Sequence, residues 1–476
     1  MSKRFNADVV IAGSGAGGSA VAGELLRAGA RVVVVEAGPV RFGAPGLHAR
    51  NLDTSEAGLV DFGKIIAKEW VYPCHAKAPI RGLDGLWVSH GVGGMFSIFC
   101  SNLPYPDVSE LPEWMGLDEW APYLDRSAAL LHANADIFGR GVRAGRILDR
   151  VTAAIGRDLT GRPVQHMPIG VRETEKGLKF TGADDLLAGD YDPGRLTLIS
   201  NHVVRRVEAN GSRASGLVIA PIEGGEEITV SAGAVVIAAG PVATAQIVAA
   251  SRVDAGPAFG RYILDHPIVS TRVLLRPEIL ADVPAGDPLF SVWVPFSADH
   301  PFQNEVFRFP QTPPAGTRDE DGADVATFVA MDVNPDNRID FSTTATDSFG
   351  LPEVCVTLVH SQADQRRIAA AAAENYLVSA AVSDTRQGWF PILYKAGGSA
   401  HLMGSCRMGP KPDGTSVVDR TGRFWNYDNL YAAGNATLAV PSGANPTFTA
   451  VAAALMTADH INGARAKADT TKADAA

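Results

Sequence analysis

Short runs of β-branched and aliphatic residues, most of them ending at a glycine or a charged residue, dominate the hydrophobic pattern of this chain. Asp8–Ala12 and Arg31–Glu36 are such runs and predict buried strands, and residues 19–28 between them have helical character. Similar runs return at Leu196–Val204 and at Ala234–Gly240, where a glycine again precedes a helical segment. The pattern predicts an α/β fold, α+β over the whole chain, whose main sheet is assembled from distant segments.

A glycine-rich turn follows the first predicted strand, with Gly13, Gly15 and Gly18 in the spacing Gly-x-Gly-x-x-Gly. The first glycine permits a tight turn, the second lets the backbone approach a pyrophosphate, and the third lets helix and strand pack closely. Glu36 ends the second strand at close to the distance, about 20 residues, expected of a carboxylate that binds a ribose hydroxyl. The glycines alone would suit any tight strand-to-helix turn. The complete pattern predicts a dinucleotide-binding site, and the carboxylate of Glu36 argues against NADP because it would repel the 2′-phosphate.

Composition restricts the class of protein. The chain has 476 residues, of which 46% are hydrophobic and 20% charged, which suits a two-domain globular enzyme. A net charge of −10 argues against nucleic-acid binding and against a basic membrane patch, and no apolar run reaches the roughly 20 residues of a membrane span. The first residues run directly into a strand, so we expect no signal peptide and a cytoplasmic location.

Cysteine spacing gives no sign of a metal site or of c-type haem attachment. The four cysteines are scattered, without a Cys-x-x-Cys pair, which also suits a reducing compartment. They are Cys74, Cys100, Cys355 and Cys406. We therefore expect no metal and no haem subunit.

Two polar motifs near the C-terminus are candidates for chemistry. His401 lies in a glycine-dense segment, and Asn445 precedes Pro446 at the start of a predicted helix. Histidine is the side chain best suited to act as a base near neutral pH, although a lone histidine is more often a satisfied turn residue. Asn445 can donate and accept a hydrogen bond beside such a base, or it can cap the helix, since an asparagine before proline is a favoured helix start.

These motifs together resemble the glucose–methanol–choline (GMC) oxidoreductase family of FAD enzymes. The resemblance rests on the N-terminal fingerprint, on Gly93-Gly94-Met95, on the run ending at Gly240 with a later Leu-Asp-His-Pro at His266, and on the C-terminal pair. Within the family the chain is most similar to the pyranose oxidase and bacterial glycoside 3-oxidase branch, which shares the Gly-Gly-Met and Asn-Pro-Thr motifs and a His-Pro-aromatic motif, here His300-Pro301-Phe302.

The resemblance implies a discontinuous Rossmann-like FAD-binding domain and a substrate-binding domain with a mixed or antiparallel sheet and helices. The order of the motifs places the FAD-binding domain in residues 1–50, 80–105, 200–275 and 395–465. The substrate-binding domain takes residues 51–79, 106–199 and 276–394. The small, polar residues 466–476 predict a flexible tail.

The resemblance also implies the roles of individual residues. His401 is expected to take the proton of an alcohol whose hydride moves to flavin N5, with Asn445 holding the hydroxyl. Fungal pyranose oxidases attach FAD through a histidine, but this chain has Ile98 at that position, so FAD is expected to be non-covalent. The expected FAD contacts are Gly13, Gly15, Ala16, Gly17, Gly18, Glu36, Ala37, Gly93, Gly94, Met95, Ser97, Cys100, Val204, Ala239, Gly240, Asn435, Pro446 and Thr447.

The substrate region is expected in the aromatic and polar stretch 290–309, with Glu305, Phe307 and Arg308 as candidate contacts, although alternating aromatics are equally typical of a strand in the core. His266 is interpreted as structural. The predicted reaction is oxidation of a secondary hydroxyl of a sugar or glycoside to the keto-sugar, with O2 or a quinone-like acceptor. Oxidation of a non-sugar alcohol, or a non-redox flavoprotein similar to hydroxynitrile lyases, remains an alternative.

Overall fold

A seven-stranded sheet forms one half of the molecule. The structure, a computed structural model, describes residues 4–41, 43–52, 71–73, 80–156, 161–308, 321–383 and 391–474. Cys74 and most of the predicted segment 51–79 therefore lie outside the described residues. The strands of the sheet are Arg4–Ala12, Val32–Val35, Leu196–Ile199, His202–Asn210, Arg213–Pro221, Ile228–Ile237 and Leu430–Ala432.

The centre of this sheet is parallel. Arg4–Ala12 pairs in parallel with Val32–Val35 on one side and with Ile228–Ile237 on the other, which in turn pairs in parallel with Leu430–Ala432. All four residues of Val32–Val35 are buried, as expected for a parallel strand covered on both faces. The predicted run Leu196–Val204 is broken by a left-handed turn at Asn201, with φ 56°, so it contributes to two strands.

A six-stranded antiparallel sheet forms the second half. Its strands are Gln165–His166, Ile268–Leu274, Ser291–Val294, Phe302–Phe307, Gly322–Val329 and Ile392–Leu393. Because side chains alternate along a strand, one face of the sheet meets a long helix, Gln362–Val382, and the other turns toward the seven-stranded sheet. This arrangement places a cavity between the two sheets.

Helices and short hairpins complete the described chain. The helices are Ala16–Arg27, Leu117–Leu130, Asp136–Gly139, Val142–Ile155, Ala183–Leu186, Pro241–Ala250, Pro277–Leu280, Gln362–Val382 and Thr447–Asp474. The smaller sheets consist of Val71–Pro73 with Trp87–Ser89, of Ala133–Asn134 with Ile169–Thr174 and Gly177–Phe180, and of Arg338–Thr346 with Pro352–Thr357.

The last helix, Thr447–Asp474, packs against the first helix, Ala16–Arg27, beside the seven-stranded sheet. It also includes residues 466–474, for which the composition predicted a flexible tail. Alanine and lysine favour helix, and no proline interrupts the segment, so the helix continues beyond its last packing contacts. The division of the chain into two domains stays a prediction, although most strands of the larger sheet fall within the segments expected for an FAD-binding domain.

A buried amide fastens the long helix to the six-stranded sheet. Asn375 accepts a hydrogen bond from Thr271 Oγ1 at 2.6 Å and donates from Nδ2 to the backbone oxygens of Val269, at 3.1 Å, and Val325, at 3.0 Å. Asn375 is fully buried. Buried polar groups cost free energy when they lose their partners, so this side chain fixes how the helix sits on the sheet.

We expect Asn375→Ala to lower the free energy of unfolding by about 3 kcal/mol, because it leaves a cavity and several buried groups without a partner. Urea denaturation measures the change. Gln365→Ala, at an exposed position of the same helix, is the matched control and should change the free energy of unfolding by less than about 0.5 kcal/mol. A loss below about 1 kcal/mol for Asn375→Ala would contradict the proposed role of the amide.

Candidate active site

One cavity, of about 990 Å³, is lined by residues of both large sheets. The glycine turn after the first strand lines this cavity, and so do His401 and Asn445. Phe328 and Ile268 of the six-stranded sheet also line it. The cavity therefore joins the predicted dinucleotide motif to the predicted catalytic residues.

The three fingerprint glycines have three different surroundings. A Cβ on Gly13, which has φ +97°, would meet the backbone oxygen of Ala238 at 2.5 Å, and one on Gly18 would meet the backbone oxygen of Gly13 at 2.0 Å. Gly15 immediately precedes the first helix, and a Cβ there would meet open space, with no atom of the described residues other than its chain neighbours within 4 Å. Two glycines are thus required by packing, whereas Gly15 leaves room for a ligand at the positive end of the helix.

Glu36 is tied to the same turn. Ser14 donates to Glu36 Oε2 from Oγ at 2.7 Å and from its backbone N–H at 3.2 Å. The backbone N–H of Gly93 donates to Ser14 Oγ at 3.0 Å, so Ser14 also holds the Gly-Gly-Met loop against the fingerprint. Glu36 is 7% exposed, and burial raises the pKa of its carboxyl. It lines the cavity where the motif predicts a ribose.

Most of the residues expected to contact FAD line this cavity. Gly18, Gly93 and Ser97 do not, and Ser97 instead donates to the backbone oxygen of Gly94 at 2.7 Å inside its own turn. The expected residues that line the cavity are Gly13, Gly15, Ala16, Gly17, Glu36, Ala37, Gly94, Met95, Cys100, Val204, Ala239, Gly240, Asn435, Pro446 and Thr447. Ile98 lines it as well.

A buried carboxylate holds the turn that carries His401. Asp265 accepts a hydrogen bond from the backbone N–H of Gly397 at 2.7 Å and another from Ser399 Oγ. The backbone N–H of His401 donates to the same Ser399 Oγ at 2.8 Å. Burial raises the pKa of Asp265 to about 6. The turn is therefore fixed by a residue of the Leu-Asp-His-Pro motif, far away in the sequence.

The imidazole of His401 lies among aromatic rings at the edge of the cavity. It stacks on Phe328 with ring centroids 5.1 Å apart, and its Nδ1 lies 3.2 Å from Nδ1 of His266. Burial lowers the pKa of His401 to about 3 and holds that of His266 well below its ordinary value. Because the charged form is disfavoured, His401 is neutral near pH 7 and can accept a proton.

Asn445 lies beside His401 on a loop held by a second buried carboxylate. Asn445 Nδ2 is 3.4 Å from His401 Nε2. Glu110 Oε1 accepts from the backbone N–H groups of Gly443 and Ala444, both at 2.8 Å. The last helix begins at Thr447, and the amide oxygen of Asn445 accepts from Gln303 Nε2 at 2.8 Å rather than from a helix N–H. The amide oxygen is thus occupied by Gln303 and does not cap the helix.

A buried polar chain lies behind Asn445. Trp293 Nε1 donates to Gln303 Oε1 at 2.9 Å, and Gln303 Nε2 donates to Glu305 Oε1 at 2.9 Å as well as to Asn445. Glu305 Oε2 accepts from Asn102 Nδ2 at 2.5 Å. Glu305 is fully buried, and burial raises its pKa to about 8. Glu305, which was predicted to contact substrate, therefore lies behind the cavity wall. Of its two hydrogen-bond partners among the described residues, Asn102 lines the cavity and Gln303 does not.

The wall opposite the fingerprint combines apolar and polar groups. Its lining residues from the six-stranded sheet are Ile268, Ser270, Phe307, Asp324, Ala326 and Phe328. Phe307 was expected there, whereas Arg308 is buried outside the lining. Apolar faces with a few hydrogen-bonding groups suit a ligand that has both C–H and O–H edges.

Several of these residues were missed by sequence reasoning. Gln303 and Trp293 lie in the aromatic and polar stretch already singled out, where the alternation of faces was a usable signal. Asp265 is part of a recognised motif but was given no role. Glu110 carried no signal, because its contact with the Asn445 loop joins residues more than 300 positions apart.

Within the described ranges, no group of three or more His, Cys, Asp or Glu side chains could hold a metal ion. No helix in the same ranges is long and apolar enough to cross a bilayer.

The fold and the cavity define a protein with a dinucleotide-binding motif, and comparison with known proteins gives its family. Two family profiles described as GMC oxidoreductase match residues 116–268 and 332–454. A C-glycoside 3-oxidase of Microbacterium trichothecenolyticum is 30% identical over 95% of this chain and 96% of its own length. A pyranose 2-oxidase of Tricholoma matsutake is 25% identical over 80% of this chain and 74% of its own length. The chain belongs to the GMC oxidoreductase family.

Solved structures agree with this fold. Formate oxidase of Aspergillus oryzae superposes with a TM-score of 0.74 at 14% identity, covering 98% of this chain and 100% of that chain. Pyridoxine 4-oxidase superposes with a TM-score of 0.68 at 15% identity, covering 95% and 98%. As a member of this family the chain is an FAD-dependent oxidoreductase that acts on CH–OH donors. The open space at Gly15 and the buried Glu36 beside it fit the pyrophosphate and ribose of that cofactor.

We expect Gly15→Ala to lower FAD affinity at least about tenfold without unfolding the protein, because the new methyl group enters the space where the backbone approaches the pyrophosphate. The FAD content of the purified protein and rebinding to the apoprotein measure the change. Gly145→Ala is the matched control, because Gly145 lies on a helix outside the cavity lining and its added Cβ would also meet no described residue beyond its own helix within 4 Å. A Gly15→Ala protein with the FAD affinity of the unmodified chain would refute this assignment.

Proposed function

We propose that this protein oxidises a secondary hydroxyl of a sugar or glycoside to a ketone, with His401 as the base and Asn445 as the group that holds the hydroxyl. The observation that carries the proposal is the position of these two side chains, 3.4 Å apart, in the cavity that the FAD-binding motifs line. The electrons then pass to O2 or to a quinone-like acceptor.

The substrate class is inferred from the relatives and from the wall of the cavity. Two relatives described above are named as oxidases of C-glycosides and of pyranoses. The wall between Ile268 and Phe307 offers apolar faces for C–H edges, and Ser270 and Asp324 offer polar atoms for hydroxyl groups. This combination supports a sugar more than an aliphatic or aryl alcohol.

In the proposed mechanism the chain's own residues hold the hydroxyl and move its proton. Bound FAD supplies the hydride acceptor, at N5. Nδ2 of Asn445 donates to the hydroxyl oxygen, and Nε2 of His401 accepts the hydroxyl proton as the C–H bond breaks. Phe328 stacks on the ring of His401 and shields that face of the imidazole from water.

Burial gives His401 the protonation state that this step requires. A pKa of about 3 leaves the ring unprotonated through the neutral range, so it does not have to lose a proton before it reacts. The same burial weakens the ring as a base. The contact at Nδ1 with the neutral His266 gives the protonated ring a hydrogen-bond acceptor that offsets part of this cost.

The cofactor itself is proposed to be held without a covalent bond. Ile98 lines the cavity, and it stands where the resemblance to pyranose oxidases would place the attachment histidine, but its side chain has no nucleophile. Acid precipitation should then release all of the FAD into the supernatant. The last helix begins at Thr447 on the cavity lining, so its positive end would favour negative charge on the reduced cofactor.

Anaerobic mixing with a panel of sugars, glycosides and simple alcohols tests the reaction. We expect a sugar or glycoside to bleach the flavin absorbance, and His401→Gln to slow this reduction about 10²- to 10⁴-fold while FAD stays bound, because the general base is lost. Asn445→Ala should slow it as well and raise the substrate concentration needed for half the maximal rate.

The controls separate the competing functions. His360→Gln replaces a histidine outside the cavity lining and should leave flavin reduction unchanged. If only alcohols other than sugars bleach the flavin, the substrate is a non-sugar alcohol and the proposed substrate class is wrong. If no alcohol bleaches the flavin, a non-redox lyase is favoured. An unchanged reduction rate in His401→Gln would remove this residue from the mechanism.

The pH dependence follows from the lowered pKa of His401. A base with a pKa of about 3 stays unprotonated when the pH falls from 7 to 5, so the rate constant of anaerobic flavin reduction should fall less than about twofold. With the ordinary histidine pKa of about 6.5 it would fall about 20-fold. The carboxyl of Asp265, with a pKa of about 6, also becomes protonated in this pH range. Asp265→Asn is therefore the control, because it removes any loss of rate that this carboxyl causes. A 20-fold loss that persists in this variant would contradict the burial argument.

A further inference from the structure

The polar chain behind Asn445 begins at a group that can only donate a hydrogen bond. The indole of Trp293 has one N–H and no acceptor, and it lies 2.9 Å from Gln303 Oε1. Trp293 is 1% exposed and Gln303 is fully buried, so neither turns to solvent for another partner. The atom of Gln303 that faces the indole must therefore be its oxygen.

This orientation determines the next amide. With its oxygen facing Trp293, Gln303 presents its NH2 group to two acceptors, Glu305 Oε1 at 2.9 Å and Asn445 Oδ1 at 2.8 Å. A reversed Asn445 would place two NH2 groups against each other in a buried site. Asn445 consequently keeps its oxygen toward Gln303 and its NH2 group toward His401.

The same reasoning continues through the two histidines. Asn445 Nδ2 lies 3.4 Å from His401 Nε2, so that nitrogen must be unprotonated to accept. A neutral imidazole then carries its proton on Nδ1, where it donates to His266 Nδ1 at 3.2 Å. The opposite tautomer of His401 would set a ring N–H against the NH2 group of Asn445.

We propose that Trp293 is a positioning residue that sets, through Gln303 and Asn445, which nitrogen of His401 carries the proton. The indole touches neither the cavity nor the reacting atoms. Its effect is to present a donor, Asn445 Nδ2–H, and an acceptor, His401 Nε2, side by side in the cavity. A hydroxyl group needs both, because its oxygen accepts and its hydrogen is the proton to be removed.

Glu305 does not replace the indole in this role. A carboxyl accepts when it is ionised but can donate when it is protonated, and burial raises the pKa of Glu305 to about 8. Near neutral pH it therefore tolerates either orientation of Gln303. The indole has no such second form, so it keeps one orientation at every pH.

The catalytic consequence rests on the proposed function, in which His401 Nε2 is the base, but the tautomer can be measured without turnover. The FAD-loaded enzyme, labelled with ¹⁵N-histidine, is studied at pH 7 by two-bond ¹⁵N–¹H correlation. The His401 signals are assigned from their absence in His401→Gln. We expect the unmodified enzyme to show His401 with an unprotonated Nε2 and a protonated Nδ1.

Trp293→Phe keeps an aromatic ring in the core and removes the donor. We expect the His401 signals to shift toward a mixture of the two tautomers, and the maximal rate of anaerobic flavin reduction to fall at least about tenfold, within the range that a general base supplies. Trp120→Phe is the matched control, since Trp120 is also fully buried and its Nε1 has no hydrogen-bond partner among the described residues. It should change neither the tautomer nor the rate.

Gln303→Met breaks the chain at its second member and should reproduce the tautomer change if Trp293→Phe does not fold. An unchanged His401 tautomer in a folded Trp293→Phe or Gln303→Met protein overturns the proposal, and so does an equal change in Trp120→Phe. A failure of the proposed function would be seen in a different experiment. In that case the flavin of His401→Gln would be reduced at the normal rate, whichever tautomer His401 adopts in the Trp293 variant.

Discussion

Two buried carboxylates hold the two loops that meet at the active site. Asp265 accepts hydrogen bonds from the turn that carries His401, and Glu110 accepts from the backbone beside Asn445. Both carboxylates are nearly inaccessible to solvent, so they depend on these N–H and O–H donors for stabilisation. Because the loops are rich in glycine and have little regular structure, the 3.4 Å contact between His401 and Asn445 depends on these two anchors.

Desolvation is the common cause of the unusual protonation states around the cavity. It lowers the pKa of His401 to about 3 and raises the pKa values of Asp265 and Glu305 to about 6 and 8. The same exclusion of water strengthens the hydrogen bonds that hold these groups. The neutral state of the His401 ring and the strong hydrogen bonds to the buried carboxyl groups are therefore two results of one packing arrangement.

The six-stranded sheet divides structural and chemical roles between its faces. Thr271 and Thr327 point toward the long helix, where Asn375 binds both of them. Residues on the other face, among them Gln303 and Phe328, point toward the cavity side. Because side chains alternate along a strand, the residue next to one that faces the cavity side faces the long helix and belongs to the core.

The linear sequence determined those features that local chemistry controls. The glycine turn, the buried β-branched strands and the carboxylate at Glu36 follow from neighbouring residues and steric rules. The motifs around His401 and Asn445 indicated the family and the proposed chemistry. The depth of a side chain does not follow from such rules: Glu305 shares a strand and a face with Phe307, yet it is fully buried while Phe307 lines the cavity.

Only the tertiary structure decided which polar groups meet. Gln303 reaches Asn445 and Glu110 reaches Gly443 across long stretches of chain, and no local pattern records such contacts. The direction of each hydrogen bond is decided in the same way, since an amide or an imidazole takes its orientation from the partner that burial assigns to it. The sequence singled out His401 and Asn445, and the fold determined which atoms of these two side chains face each other.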